Sequence, residues 1–558
     1  MPIIPSFVLG YVIAYVRPLL TWFSDQVYLV LLPQAREQLL YRLHTHLDFT
    51  PLERACASYH HTDGPGALPT HPVPRLVRAL LVGYLFNWSL RQLEFQIRFN
   101  LLVKWFVDYP VFEAGPDHTT LERFELWVCA HQHRTYFDEL LRQIDTAFPD
   151  ERCQAQIGDT FALHADAAPE SRVRLLRHTC QRLLHALQKA LPELEPAIRT
   201  QLANAALFGT LDEKDEYYLN ATDRLARLQT TVLAVRTCAA WVRDQLAALP
   251  TPPTAARDSI ETWLAHVNKI LGDEVTITES PDPAGRPVVQ PKAAEKGAYR
   301  IGSATDPEAT YRQHGNVETS ALGYNVQVLV TEHFIREVQA DPGAQPDPVS
   351  LPEVLHAEQD HHGVVPPKLL YDAAASPGKI RHLVAEATQG QTQLVARLAQ
   401  PYQHAGLFTP DRFQLSPDDL TLTCPQQQTS VLAYASSSGD GRMFRFLALQ
   451  CQDCPLWTQC RRDAPNTNRM RQVFISDYRP EVEAARRYNQ TPEFKAEMKH
   501  RPLVERIIAA LVRYNGARRA RRRGQEKCDF QAKMNAVAFN AKKWMRLLRK
   551  PARQSAHP

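Results

Sequence analysis

The chain has 558 residues, of which 44% are hydrophobic and 22% are charged, and this ordinary globular composition excludes a disordered or fibrous protein. Its length predicts three or four folded units rather than one compact domain. The formal net charge is only +4, but residues 499–553 carry 17 Lys and Arg against 3 Asp and Glu, so a basic segment follows an acidic body. This asymmetry favours contact with a polyanion such as nucleic acid over a merely solvated helical face.

The cellular location is predicted from what the sequence lacks. No stretch reaches the roughly 18–20 apolar residues that span a bilayer. The most apolar run, residues 7–16, ends at Arg17 and lacks the basic start and small-residue cleavage site of a signal peptide. We therefore expect a cytoplasmic protein without membrane contact, in which the ten cysteines stay reduced.

The first 150 residues have helical periodicity. Leu76, Leu80 and Tyr84 recur at four-residue spacing, the pattern breaks at 87–89, and a second amphipathic helix follows. Two helices joined by a turn are found in DNA-reading modules but also in any helical bundle, and this segment alone favours the plain bundle.

The pattern changes to period two at 154–165, where Ile157, Phe161 and Leu163 alternate with polar residues and predict a strand. Long helical periodicity returns over 170–272, and a proline-rich polar linker is predicted over 273–299. The elements predicted after the linker are strands at 323–330 and 334–340, a helix at 349–362, a strand at 368–372, a helix at 379–387 and a strand at 392–398. Together they predict an α/β fold with a mixed sheet and a large helical insertion.

A cluster of four cysteines follows, at Cys424, Cys451, Cys454 and Cys460. Residues 431–450 between them predict a β-hairpin that turns at 439–441. A C-x₂-C pair with two further cysteines and an enclosed hairpin favours a Cys₄ zinc site over four reduced structural thiols. The predicted role of the zinc ion is to stabilise a small insertion.

Three acidic residues stand where a catalytic site would need them. Asp159 lies within the first predicted strand, Asp372 ends a later strand, and Glu505 lies on a helix near the basic segment. Carboxylates at one sheet edge can hold two Mg²⁺ ions, which activate an attacking oxygen and stabilise the leaving one. Periodicity does not establish that the three meet, and each carboxylate taken alone is more typical of a solvated surface.

Several segments resemble bacterial insertion-sequence transposases of the DDE class, and they occur in matching order and spacing. They are GDTFALHADAA (158–168), DPEATYRQHGN (306–316), LGYNVQV (322–328), LLYDAAASPGKIR (369–381) and RPLVERIIAALVRYNGARRARRRG (501–524). The segments RLVRALLVGYL (75–85), RQLEFQI (91–97) and PDHTTLERF (116–124) are similar to the helical region that precedes the catalytic domain in such proteins. The resemblance extends from about residue 70 to about residue 548.

The resemblance implies an RNase H-like core in which Asp159, Asp372 and Glu505 are catalytic and bind Mg²⁺ or Mn²⁺. Related transposases carry Tyr, Arg, Glu and Lys at fixed offsets around the catalytic glutamate. Arg501 and Glu505 fit that spacing, whereas Met498 and Val512 stand at the tyrosine and lysine positions. Arg513, one residue further on, is the candidate replacement for the lysine.

The expected function is that of a DNA transposase. It would bind the ends of its insertion sequence, most simply as a homodimer, cleave the DNA strands and join the free 3′-hydroxyl to target DNA. The residues predicted to contact double-stranded DNA are Arg501, Arg513, Arg518, Arg519, Arg521, Arg522 and Arg523. The alternatives are a catalytically silent or repurposed DNA-binding protein derived from a transposase, and a nuclease that cuts without joining.

The predicted domain organisation combines these elements. Its parts are a helical, DNA-binding region at 1–150, the first core strand at 151–169, a helical insertion at 170–272, a linker at 273–299, the continued core at 300–423, the Cys-rich insertion at 424–462, and the catalytic helix with the basic segment at 463–550.

Overall fold

The computed structural model describes residues 6–549 except 61–69, 205–206, 208–217, 249–253, 282–286, 294–296, 298, 315, 399–406, 438 and 464–467. Its N-terminal part is helical, which confirms the prediction from periodicity. The helices are α1 (Ser6–Ala35), α2 (Leu39–His46), α3 (Thr50–Ala55), α4 (Val73–Leu85), α5 (Leu90–Phe99), α6 (Leu101–Phe106), α7 (His118–His131) and α8 (Thr135–Ala147).

Side-chain caps explain where several of these helices begin. Ser89 caps α5 in a reciprocal capping box with Gln92. Asn100 and Asp117 accept hydrogen bonds from the first-turn backbone of α6 and α7. Helix α4 lies at the centre of this region and is buried along most of its length.

The central layer is a six-stranded mixed sheet. Its strands are β1 (Gln156–His164), β4 (Thr310–His314), β5 (Asn316–Val330), β6 (Ile335–Pro342), β7 (Lys368–Tyr371) and β8 (Gln393–Ala396). The order is β4-β5-β1-β7-β8, and β6 also pairs with β5. Strand β1 runs antiparallel to β5 and parallel to β7, and β8 runs parallel to β7. The α/β class and the mixed sheet predicted from the sequence are therefore confirmed.

Helices cover both faces of this sheet. On one face, α13 (Leu351–His362) and α14 (Gly378–Ala387) pack on side chains that include Leu329 and Leu369. On the other face, Val328 and Val330 join one large apolar core with the N-terminal helices. The helix α20 (Gln525–Leu547) runs through that core and is buried at fourteen positions. Residues from both ends of the described chain thus share one core.

A separate helical unit interrupts the chain between β1 and β4. It contains α9 (Arg172–Ala190), α10 (Glu195–Leu202), α11 (Ala221–Ala248) and α12 (Thr254–Glu274). These helices bury a cluster of their own that includes Leu183, Val235 and Val267. The backbone N–H of Glu170 donates to the carbonyl of Gly302 at 2.9 Å, so the unit leaves and re-enters the core at neighbouring points.

The segment predicted as a linker over 273–299 is partly structured. Strands β2 (Val275–Pro281) and β3 (Pro287–Pro291) form an antiparallel hairpin. Val275 and Val289 are buried in the core of the helical unit. The short apolar alternation therefore forms strands here despite the surrounding prolines. The prediction of a plain linker is wrong over these strands.

The cysteine-rich segment carries its own small β structure. The two-residue strands β9 (Gln414–Leu415) and β10 (Leu422–Thr423) pair, and β11 (Leu432–Ala435), β12 (Gly441–Phe446) and β13 (Arg471–Ser476) form a three-stranded sheet. The hairpin predicted at 431–450 is present as β11 and β12. Strand β13 pairs with β12, so this sheet extends beyond the predicted boundary at 462. Two short helices lie between them, α15 (Ala448–Cys451) and α16 (Trp457–Cys460).

The chain then continues through α17 (Arg479–Asn489), α18 (Pro492–Glu497) and α19 (Pro502–Tyr514) to α20. Helix α19 packs against β1, with Val504, Ile507 and Leu511 buried. No helix among the described residues is both long enough and apolar enough to cross a membrane.

Candidate active site

Strand β1 carries the first candidate carboxylate in the middle of the sheet. Asp159 pairs with Val328 of β5 and keeps 17% of its side chain exposed. The preceding Gly158 permits close approach of the neighbouring strand, because a Cβ there would lie 2.7 Å from Cδ2 of Tyr371. The lack of a side chain at this position therefore helps bring β7 next to Asp159.

Asp372 follows the last residue of β7. Because β7 runs parallel to β1, with Ile157 opposite Leu370, its carboxyl end comes close to Asp159. One carboxylate oxygen of Asp372 accepts from the backbone N–H of Ala374 at 2.9 Å and caps a short 3₁₀ helix, which fixes the side chain. The other oxygen faces Arg501.

Helix α19 supplies the third carboxylate, and Arg501 at its start joins all three. Nη1 of Arg501 lies 2.6 Å from a carboxylate oxygen of Glu505. Nη2 lies 3.2 Å from Asp159 and 3.8 Å from Asp372. The structure therefore brings together the three residues predicted as the catalytic triad, arranged around a single guanidinium group.

The site carries an excess of negative charge. Burial raises the pKa of Asp159, and the charges of Asp372 and Asp347 act in the same direction, while Arg501 opposes them. Carboxylate oxygens that share one cation are ligands suited to hard divalent ions. Asp159, Asp372 and Glu505 are therefore the residues that would hold such an ion, although their oxygens, spread around Arg501, do not all lie within 4.8 Å of one another.

Polar residues outside the predicted triad complete this edge of the sheet. Tyr371 donates to Gln327 at 3.1 Å, and Asn325 donates to Asp347 at 2.9 Å. Arg312 donates to Thr160 at 3.0 Å and forms an ion pair with Asp347 at 3.4 Å. Asp347 lies in the connection between β6 and α13, where no periodic pattern could indicate its position.

The arginine loop, residues 516–524, connects α19 to α20 and lies against the end of β1. His164 donates its backbone N–H to Arg518 at 2.9 Å, and Ala520 donates back to His164 at 2.8 Å. Burial lowers the pKa of His164, and the charges of Arg518 and Arg519 act in the same direction. The loop thus lies directly beside the end of the strand that carries Asp159.

Besides Arg501 and Arg521, the predicted DNA-binding arginines fall into two groups. Arg513, Arg518 and Arg519 are exposed, and within the described parts of the chain none of them forms an ion pair. Arg522 pairs with Glu122 and Glu125 of α7, and Arg523 pairs with Asp166. Acidic partners within the chain thus already engage the second group.

A cavity of about 410 Å³ lies beside the arginine loop, at the turn between α4 and α5. Its lining includes Asn87, Trp88 and Gln92 together with Arg521. Arg521 donates to Asn87 at 2.8 Å and lies over the ring of Tyr84. Helices α4 and α5 therefore meet the arginine loop at this cavity.

The four clustered cysteines line one small cavity of about 30 Å³. Burial raises the pKa of Cys451 and of Cys460, and the nearby guanidinium groups of Arg461 and Arg471 oppose the rise. Nη1 of Arg461 and Nε of Arg471 are buried without a hydrogen-bond partner among the described residues. Buried donors beside sulfur atoms suit thiolates, which are zinc ligands, although no three of these four sulfur atoms lie within 4.8 Å of one another.

Two family models match the chain. A transposase domain model (DUF772) matches residues 30–125, which comprise most of the N-terminal helices. A transposase DDE domain model matches residues 423–545, which include Glu505 and the arginine loop. No curated protein and no solved structure matches the chain. Together the two matches support the assignment of the chain to the insertion-sequence transposases of the DDE class.

Proposed function

We propose that this transposase binds the ends of its insertion sequence, cleaves the DNA strands there, and joins the resulting 3′-hydroxyl to target DNA. The observation that supports the proposal is the convergence of Asp159, Asp372 and Glu505 on Arg501. Asp159 lies on β1 and Asp372 directly follows the adjacent parallel strand β7 of the mixed sheet, and this supports the RNase H-like core that the sequence resemblance implies.

Asp159, Asp372 and Glu505 would hold Mg²⁺ or Mn²⁺. Such ions, when bound, activate the attacking oxygen and stabilise the leaving oxygen of the phosphodiester. Arg501 lies within reach of the same carboxylates and would neutralise a phosphate brought to this edge of the sheet. The chain's own contribution is thus positioning and charge neutralisation, which is most of what phosphoryl chemistry requires.

Contact with the DNA backbone is proposed for Arg501, Arg513, Arg518 and Arg519. The last three are exposed on or next to the arginine loop and have charge available for phosphates. Arg521, Arg522 and Arg523 are proposed to support the loop instead, because each contacts another part of the chain. The cavity at Asn87 and Trp88 adds polar and aromatic groups that suit a nucleotide.

A homodimer would let one complex hold two DNA ends. Helix α1 supports this part of the proposal, because its exposed apolar side chains include Leu19, Trp22, Phe23, Leu29 and Val30. An apolar stripe of this kind on a long helix is suited to packing against a second copy.

The four-cysteine cavity is proposed to hold a structural zinc ion through Cys424, Cys451, Cys454 and Cys460. Zinc there would stabilise the small sheet of β11, β12 and β13, whose apolar core is limited to a few side chains such as Phe444 and Val473.

The proposal is tested by a strand-cleavage and joining assay. Purified protein is incubated with labelled DNA from both flanks of its gene, with Mg²⁺, Mn²⁺ or Ca²⁺. Asp372→Asn is compared with Asp360→Asn, which changes an exposed aspartate on α13. We expect cuts at one defined position with Mg²⁺ or Mn²⁺, followed by joined products, in the wild type and in Asp360→Asn but not in Asp372→Asn.

Other outcomes of this assay identify the alternatives. Site-selective binding without cutting under any metal would establish a repurposed DNA-binding protein and overturn the enzymatic proposal. Cutting without joined products would establish a metal-dependent nuclease. Equal activity of Asp372→Asn and Asp360→Asn would exclude the proposed triad.

A further inference from the structure

A second cluster of metal-binding side chains lies about the junction of α7, α8 and α20, apart from the candidate active site. Ligand atoms of Cys129, His133 and Glu526 all lie within 4.8 Å of one another, a criterion that among the described residues this group alone meets. Cys129 lies in the last turn of α7, His133 in the turn before α8, and Glu526 in the first turn of α20. Two neighbouring positions at the end of α7 and one position on the distant helix α20 thus present different donor types to one point.

A buried carboxylate holds the histidine ring. Nε2 of His133 lies 2.7 Å from a carboxylate oxygen of Asp529. Asp529 also accepts from the backbone N–H of Ala340 at 2.7 Å and from Nζ of Lys533 at 2.6 Å, so its position is fixed by β6 and α20. A histidine that donates one ring N–H to a carboxylate has its other nitrogen, here Nδ1, available as a metal ligand. Nδ1 lies 3.3 Å from the carbonyl oxygen of Cys129, and a metal ion would replace this contact.

We propose that Cys129, His133 and Glu526 bind a zinc ion. A thiolate, an imidazole and a carboxylate form a donor set that zinc accepts, whereas Mg²⁺ prefers oxygen ligands alone. Binding releases the thiol proton of Cys129 to solvent, and a water molecule fills the fourth position. The site shares no ligand with the triad or with the four-cysteine cavity.

The position of this site indicates its role. Glu526 lies two residues beyond Gly524, the end of the arginine loop, and Arg522 of that loop already pairs with Glu122 and Glu125 of α7. A metal ion bound at both α7 and α20 therefore fixes the base of the arginine loop to the N-terminal helices. This role does not depend on whether the protein cleaves DNA.

Zinc content tests the proposal directly. The full-length protein and its variants are loaded with zinc, dialysed, and analysed for zinc per chain by mass spectrometry. Cys129→Ala and Glu526→Gln are expected to contain one equivalent less than the wild type, whether or not the four-cysteine cavity is also loaded. Cys528→Ala, which removes another buried thiol on α20, is expected to keep the wild-type content.

A stability measurement covers the case in which Cys129→Ala fails to fold. Glu526 is exposed, so Glu526→Gln leaves the core unchanged. After removal of metal by a chelator, added zinc is expected to raise the thermal midpoint of Cys528→Ala more than that of Glu526→Gln. Wild-type zinc content in Glu526→Gln together with an equal zinc-induced shift in both variants would overturn the proposal.

Discussion

Arg501 connects three carboxylates that come from two strands and a helix. Its planar guanidinium can donate to Glu505 with one nitrogen and to Asp159 with the other, an arrangement that a point charge such as lysine cannot reproduce. The three acidic groups would otherwise repel one another at short distance. The residue therefore has two roles in the site, one with the carboxylates and one with phosphate.

Replacement of this arginine makes the site more dependent on divalent ions. We expect Arg501→Gln to lower the thermal midpoint in the absence of metal, because the carboxylate charges lose their partner. Added Mg²⁺ should then raise the midpoint of Arg501→Gln more than that of the wild type. Differential scanning fluorimetry with and without Mg²⁺ measures both effects.

Arg506→Gln is the matched control, since Arg506 is exposed on the same helix. Its response to Mg²⁺ should equal that of the wild type. An Mg²⁺-induced shift in Arg501→Gln no larger than that of the wild type would show that the three carboxylates do not bind the ion jointly.

The buried carboxyl group of Glu358 makes the free energy of unfolding depend on pH. Glu358 of α13 is buried between Arg336, at 3.3 Å, and Gln156, at 2.7 Å. Burial raises the pKa of Glu358 from its ordinary value of 4.5 to about 7, although Arg336 and Gln156 oppose the rise. Folding therefore favours the protonated carboxyl, and this contribution to stability is complete below pH 4.5 and is lost as the pH rises through about 7.

Glu358→Gln removes this titration and keeps a side chain of the same size. The unfolding free energy of the wild type minus that of Glu358→Gln should fall by on the order of 3 kcal/mol between pH 4.5 and pH 7.5. Urea unfolding of both proteins at several pH values measures the difference between their unfolding free energies. The titration of other groups cancels in this difference because both proteins contain those groups. Parallel stability curves would mean that Glu358 titrates normally.

At the scale of elements, the distance between β1 and β7 determines whether Asp159 and Asp372 can act together. Gly158 and Tyr371 meet at this contact, and a methyl group at position 158 would have to displace the tyrosine ring. The same ring hydroxyl donates to Gln327 of β5 and to the carbonyl of Asp347, so its displacement would also disturb the neighbouring strand and loop.

Gly158→Ala is therefore expected to destabilise the protein by about 1–3 kcal/mol through overpacking and to reduce strand cleavage. Gly272→Ala on α12 is the control, because a Cβ there meets nothing within 4 Å. That change should leave the stability unchanged or raise it by up to about 1 kcal/mol. Chemical unfolding and the cleavage assay are carried out on both variants. Loss of stability and cleavage in Gly158→Ala but not in Gly272→Ala would show that the effect arises at the contact between β1 and β7.

The sequence predicted the elements of the site better than their contacts. Period-two alternation around Asp159 and the short apolar run before Asp372 are local signals, and both strands are present. The pairing of Arg522 with Glu122 joins residues 400 positions apart, and no local pattern encodes such a contact. The hairpin of β2 and β3 was not predicted, because the four prolines of this segment are typical of a linker and its two apolar alternations are short.

At the scale of the whole molecule, the chain has one shared core and one separate unit. The shared core joins the N-terminal helices, the sheet and α20, whereas the helices α9 to α12 bury their own cluster. Since Glu170 and Gly302 are hydrogen-bonded neighbours, the separate unit can be removed without stretching β1 or β4.

A variant that replaces residues 171–301 with a short Gly/Ser linker is expected to fold. The rest of the chain should keep its cooperative unfolding transition, because the shared core loses none of its main contacts. Circular dichroism and calorimetry check this. An aggregated or non-cooperative product would indicate that the shared core depends on the helical unit.

The burial of α20 has a consequence for how the protein is made. A ribosome releases the N-terminal helices and β1 long before residues 525–547, so the apolar surfaces that α20 covers stay open during most of translation. The basic segment at 499–553 includes α20, so the ribosome releases the arginines proposed to contact DNA and this core helix at nearly the same time. A chain truncated before residue 547 would therefore expose apolar surface, aggregate and be cleaved readily by proteases, and it would not retain partial activity.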